Sequence, residues 1–170
     1  MSDATGFKER LSLNGWGPLI ARCILGGMFV WLGTAKLGDP VQFLKTLREY
    51  GMFPSSMPFL MNSTAAWLPW IEIFAGTLLI AGVAVRGIAL MFLTMLIVFS
   101  SAIFLRASGV ASADDISFCA VAFDCGCGTG EQNVCAKLGE NVLLILLGAI
   151  VLLSRSRKLC LRGDLIRKPA

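Results

Sequence analysis

There is no histidine in this sequence. That absence removes the Ser-His-Asp triad, the histidine-activated cysteine nucleophile and bis-histidine haem ligation together. Chemistry in such a chain falls to cysteine thiols, carboxylates, cations or a bound cofactor. Charge is also scarce: Asp, Glu, Lys and Arg make up 15% of the 170 residues, against about 25% in soluble domains. With 56% of residues hydrophobic and a mean hydropathy of +0.75, the chain reads as one integral membrane domain whose main partner is the lipid bilayer. The net charge of +4 is small and gathered near the C-terminus, so a nucleic-acid partner is not expected.

What is present is a set of long apolar runs. A bilayer core of about 30 Å takes about 20 helical residues, and the runs at about 18–37, 65–85, 88–105 and 138–153 suit that length. The first contains Arg22 and has no small-x-small cleavage site, so it is expected to stay as a span and not to be removed as a signal peptide. After Gly38-Asp39-Pro40, apolar Val41, Phe43, Leu44 and Leu47 recur at helical spacing, the pattern of a short amphipathic helix lying in the interface. Residues 54–63 read as a loop, with Pro58 barring regular structure. Trp67 and Trp70 stand as interfacial anchors near the start of the second span, and Pro69 in its first turns, where proline costs least. The short Arg86-Gly87 turn makes the second and third spans antiparallel neighbours. The expected fold is all-α: an integral membrane four-helix bundle with one interfacial amphipathic helix, a cysteine-rich extracytoplasmic loop over 107–137 and a basic tail over 154–170.

Lys36 closes the first span and Glu72 lies inside the second, where a lone charge is expensive. The topology puts both toward the outer side, so a Lys36–Glu72 pair is expected there, either fixing helix packing or lining a polar pocket. Arg22, nearer the other end, can snorkel. Gly26, Gly27, Gly33, Gly76 and Gly82 are expected to allow close helix contact. Orientation follows from the basic residues. Lys8, Arg10, Arg86, Arg155, Arg157, Lys158, Arg162, Arg167 and Lys168 share one side, nine in all; Lys36, Lys45, Arg48, Arg106 and Lys137, five, share the other. Both termini are therefore expected in the cytoplasm of a bacterial inner membrane, and the cysteine loop on the oxidising side, where disulfides persist.

Four of the six cysteines fall in or beside Asp124-Cys125-Gly126-Cys127-Gly128: Cys119 before it, Cys125 and Cys127 within it, and Cys135 after it. Gly126 lets the backbone bend tightly enough to join Cys125 to Cys127, and such a bond is expected to be strained and exchangeable. Three readings stay open. Cys125 and Cys127 form a catalytic redox pair with Cys119 and Cys135 as a second pair; or the four form structural disulfides; or they bind a metal. The last is weakest, because C-x₅-C-x-C-x₇-C lacks the knuckle spacing of structural zinc and matches no ferredoxin pattern. Asp124 disfavours a thiolate at Cys125. Cys23 reads as a packing residue and Cys160 as a free cytoplasmic thiol.

Gly33-Thr34-Ala35-Lys36-Leu37, Trp70-Ile71-Glu72-Ile73 and Leu79-Ile80-Ala81-Gly82 resemble DoxX-type membrane proteins, and Asp124-Cys125-Gly126-Cys127 before the last span makes the chain similar to the MauE branch. The resemblance covers about residues 18–154. It implies a four-helix membrane bundle with a role in periplasmic thiol–disulfide chemistry, in which MauE is associated with maturing the disulfide-rich small subunit of methylamine dehydrogenase alongside a thioredoxin-like partner. Analogy with other redox bundles implies a membrane quinone as electron acceptor, with no residue here that demonstrates a quinone site. The leading expectation is thus a thiol–disulfide oxidoreductase acting through Cys125 and Cys127. The alternative is a non-catalytic accessory subunit of a larger membrane complex, its cysteines stapling a loop. A transporter is not expected, since no paired spans are interrupted mid-membrane.

Overall fold

The computed structural model describes residues 16–51, 53–54, 56–124 and 131–154. Among these, four helices are long and apolar enough to cross a membrane. The first, α1, runs Trp16–Gly38. Asp39 caps the short helix α2, Pro40–Glu49, by accepting from the Gln42 N–H at 2.9 Å, and Pro40 sits where no N–H is required. The amphipathic stretch is therefore helical, but its two most buried apolar residues, Phe43 and Leu47, turn into the protein while Val41 stays exposed.

Helix α3 runs Pro58–Ala81, which corrects the expected loop over 54–63. Proline in a first turn starts a helix as readily as it stops one, because its missing N–H has no partner there to lose. The earlier start moves Trp67, Pro69 and Trp70 into the helix interior, with Pro69 buried. Gly82, at φ 79°, ends α3 with its N–H on the Leu78 and Leu79 carbonyls. The turn is thus Gly82–Ala84, not Arg86-Gly87, and helix α4 runs Val85–Ala113. It continues well past the expected end at Leu105. Its late hydroxyls return to the helix's own carbonyls, Ser108 Oγ to Phe104 O at 2.8 Å and Ser112 Oγ to Ser108 O at 2.9 Å, so serines that suggest a loop do not interrupt it.

A single 3₁₀ turn, Phe118–Ala120, leads into strand β1, Ala122–Asp124, which pairs antiparallel with β2, Glu131–Asn133, in the register Phe123↔Gln132. Helix α5 follows directly, Val134–Leu153, so Cys135 and Lys137 are helical and not part of a loop.

The short turn between α3 and α4 does not make them each other's main partners. Helix α3 packs chiefly on α1, and α4 chiefly on α5, with α1 also against α5. Small residues decide this. A Cβ at Gly26 or Gly76 would meet the other's carbonyl oxygen at 2.7 Å, and one at Gly33 would meet Pro69 O at 2.7 Å; the α1 and α3 backbones touch where no side chain intervenes. Gly27, expected to share this role, meets nothing within 4 Å. The main core joins Leu25, Phe29, Leu79, Phe92 and Leu144, with Phe29 stacked on Phe92 at 3.7 Å between ring centroids. A second cluster, Ile103, Ala107, Val121 and Val134, seats the hairpin on α4 and α5. Trp16, Trp31, Trp67 and Trp70 all point outward with Phe59 and Phe74, as lipid-facing rings do.

Candidate functional site

Lys36 and Glu72 meet between α1 and α3. Lys36 Nζ donates to Glu72 Oε1 at 2.5 Å, with the side chains 6% and 2% exposed. The cation also lies 5.2 Å from the Phe43 ring centroid and 5.9 Å from that of Phe99, which offsets part of its desolvation. The second Glu72 oxygen, Oε2, is buried with no hydrogen-bond partner among the described residues. Because α3 begins early, Glu72 stands about four turns along it, deeper than the two turns expected from the sequence.

The pair borders a cleft of about 60 Å³ walled by Phe29, Leu32, Phe43, Leu96, Phe99 and Ile103. Its other polar residues are Tyr50, Lys137 and Asn141. Lys137, although buried, donates to Glu140 Oε2 at 2.8 Å one turn on. Asn141 Nδ2 donates to Ser100 Oγ on α4 at 2.9 Å. Sequence reasoning missed Tyr50, Lys137 and Asn141 as parts of one site. Asn141, a polar residue within the last apolar run, was the signal available.

Cys119 and Cys135 form a disulfide, Cα atoms 5.2 Å apart and 16 residues apart in sequence. It ties the exposed 3₁₀ turn to the first turn of α5, beside the cluster of Ile103, Ala107, Val121 and Val134. Tyr50 packs on that cluster and Ile103 belongs to it, and both also line the cleft, so cystine and cleft are linked by shared walls. A metal held by all four cysteines needs four thiolates, and two of these sulfurs are bonded to each other. Cys125 and Cys127 lie outside the described residues, as does Cys160. Cys23 is a free thiol exposed on α1, not the packing residue expected. Arg22 is buried at 4% exposure and does not snorkel outward, because it shares the inward face of α1 with Ala21 and Leu25.

Four helices long and apolar enough to cross a membrane, around a largely apolar cleft with a buried ion pair and a cystine tying a small hairpin beside it, define a multi-pass membrane protein that carries a disulfide. A family model described as methylamine utilisation protein MauE matches residues 14–154, and the chain belongs to that family. No curated protein and no solved structure matches it.

Proposed function

We propose that the protein exchanges thiols for disulfides at the extracytoplasmic face of a bacterial inner membrane, with a thioredoxin-like protein as its soluble partner. The observation that carries this is the Cys119–Cys135 disulfide, with Cys119 exposed, at the base of the hairpin whose two strands flank Cys125 and Cys127 in sequence. A thiolate of the reduced partner attacks one sulfur of a Cys125–Cys127 disulfide and expels the other. The partner's second thiol then resolves the mixed disulfide. The partner leaves oxidised, and Cys125 and Cys127 are left as two thiols. The same exchange with Cys119–Cys135 restores the first disulfide and passes the electron pair to the second pair. Attack at the exposed Cys119 expels Cys135, which stands in the first turn of α5, where the positive end of the helix dipole favours a leaving thiolate. Two electrons and two protons then go to a quinone-class oxidant of the membrane, reducing it to the hydroquinone.

The accessory-subunit reading rests on a different observation: the same disulfide covers the buried cluster that seats the hairpin, as a staple would. Titration against defined thiol buffers, followed by alkylation and mapping, separates the two. Exchange requires both pairs to be reducible above about −300 mV, the region below which structural disulfides lie. It also requires that Cys125→Ser abolish disulfide transfer while the helical spectrum is kept. A Cys119–Cys135 bond that stays oxidised throughout, with loss of folded protein on Cys119→Ser, would establish the staple instead.

A further inference from the structure

Lys36 Nζ carries three N–H donors, and the described residues engage one of them, through Glu72 Oε1. The rings of Phe43 and Phe99, 5.2 and 5.9 Å from the ammonium, present π faces but no lone pair. On the α5 side of the same cleft, Asn141 gives one end of its amide to Ser100. The other end, the amide oxygen, has no partner among the described residues, and unlike Glu72 Oε2 it is not sealed off by its neighbours. Both residues are buried, at 5% and 6% exposure, so leaving these groups without partners is costly. A water takes up about 30 Å³ in the liquid, and the cleft between the two residues holds about 60 Å³. We infer that the cleft is an internal water site, in which about two ordered waters accept from Lys36 Nζ and donate to the Asn141 amide oxygen, tying α1 to α5.

Water answers the chemistry of these walls where other occupants do not. The end of a lipid tail would leave the ammonium donors and the amide oxygen unpaired. A small anion would accept from Lys36 but would meet the Glu72 carboxylate and the amide oxygen as repulsive neighbours. Water accepts and donates together, and it fits a space too narrow for a ring. Glu72 Oε2 takes no part, because the protein seals it; the waters act on the cation of the pair. Lys137, also at the cleft, already donates to Glu140. The site therefore rests on Lys36 and Asn141, and it holds whether or not the cysteines exchange.

The test is hydroxyl-radical footprinting by X-ray radiolysis on the full chain in lipid nanodiscs. The beam splits bound water as well as bulk water, so a side chain beside an internal water is oxidised where solvent does not otherwise reach. Met28, Met91 and Met95 are all partly buried against the main core, and of the three Met95 alone lines the cleft. Met95 is expected to oxidise severalfold faster than Met28 and Met91. Asn141→Leu, which removes the amide and fills the space with a hydrocarbon, is expected to bring Met95 down to the rate of the other two. A Met95 rate no higher than theirs in the unmutated protein overturns the inference, whether lipid fills the cleft or nothing does. So does a fast Met95 rate that Asn141→Leu leaves unchanged. The first comparison needs no variant, so it stands even where Asn141→Leu fails to fold. Failure of the thiol titration would leave this result untouched, so the two ideas fall separately.

Discussion

Removing the Glu72 carboxylate would strand the Lys36 ammonium at 5% exposure, between two rings and the packed face of α1. Breaking a buried pair by deleting one partner costs about 3–5 kcal/mol, whereas replacing both with apolar groups is often neutral. Glu72→Ala should therefore melt well below the parent in detergent, and the double variant with Lys36→Met should recover most of the loss. Equal melting of single and double variants would show that the two charges are not coupled. Asn141 makes a contrasting case. Its bond to Ser100 joins two neutral groups, and such bonds between membrane helices average about 0.6 kcal/mol. At this scale the sequence was informative where a charge interrupts an apolar run: Lys36 and Glu72 stand out against their surroundings. It was silent on Tyr50 and Lys137, whose residue types look like ordinary surface chemistry until the tertiary fold turns them inward.

At the scale of elements, the four crossings were legible because hydropathy over a whole span outweighs any single residue. Their ends were not. Pro58 opens α3 where proline suggested a break, and Ser108, Gly109 and Ser112 lie within α4 where a loop was expected. Both reflect backbone bonding that composition does not reveal: a proline at a first turn loses nothing, and a serine can bond its own helix. Which glycines matter was equally hidden, since Gly26 and Gly27 are neighbours in sequence and differ only by rotation about the α1 axis. Gly26→Ala would place its Cβ 2.7 Å from the Gly76 carbonyl oxygen, and forced overpacking of this kind costs about 1–3 kcal/mol. Gly27→Ala meets nothing within 4 Å and should leave thermal stability unchanged. A melting comparison of the two variants checks the α1–α3 contact; similar losses would mean that the helices do not meet along that line.

For the whole molecule, α4 sets the vertical scale. Its 29 residues make about 44 Å of helix, more than a hydrocarbon core of about 30 Å accommodates even with ordinary tilt. The end carrying Ala107, against which Val121 and Val134 seat the hairpin, thus has room to stand beyond the acyl chains, as the proposed exchange with a soluble partner requires. In the orientation proposed from the nine-to-five bias of basic residues, that end is the extracytoplasmic one. A membrane-impermeant maleimide applied to spheroplasts after mild reduction should label Cys119 and Cys135 and spare Cys160. Labelling of Cys160 alone would invert the topology and remove the oxidising compartment on which the exchange reading depends.

The outward set of all four tryptophans has an optical consequence. Their indoles report on acyl chains and headgroups and not on the protein interior, so intrinsic emission is a poor gauge of unfolding but a direct gauge of depth. Reconstituted into lipids brominated at successive carbons, Trp67 and Trp70 on α3 should be quenched by different labels from Trp16, which opens α1. Single-tryptophan variants would turn that set of quenching profiles into a ruler across the bilayer.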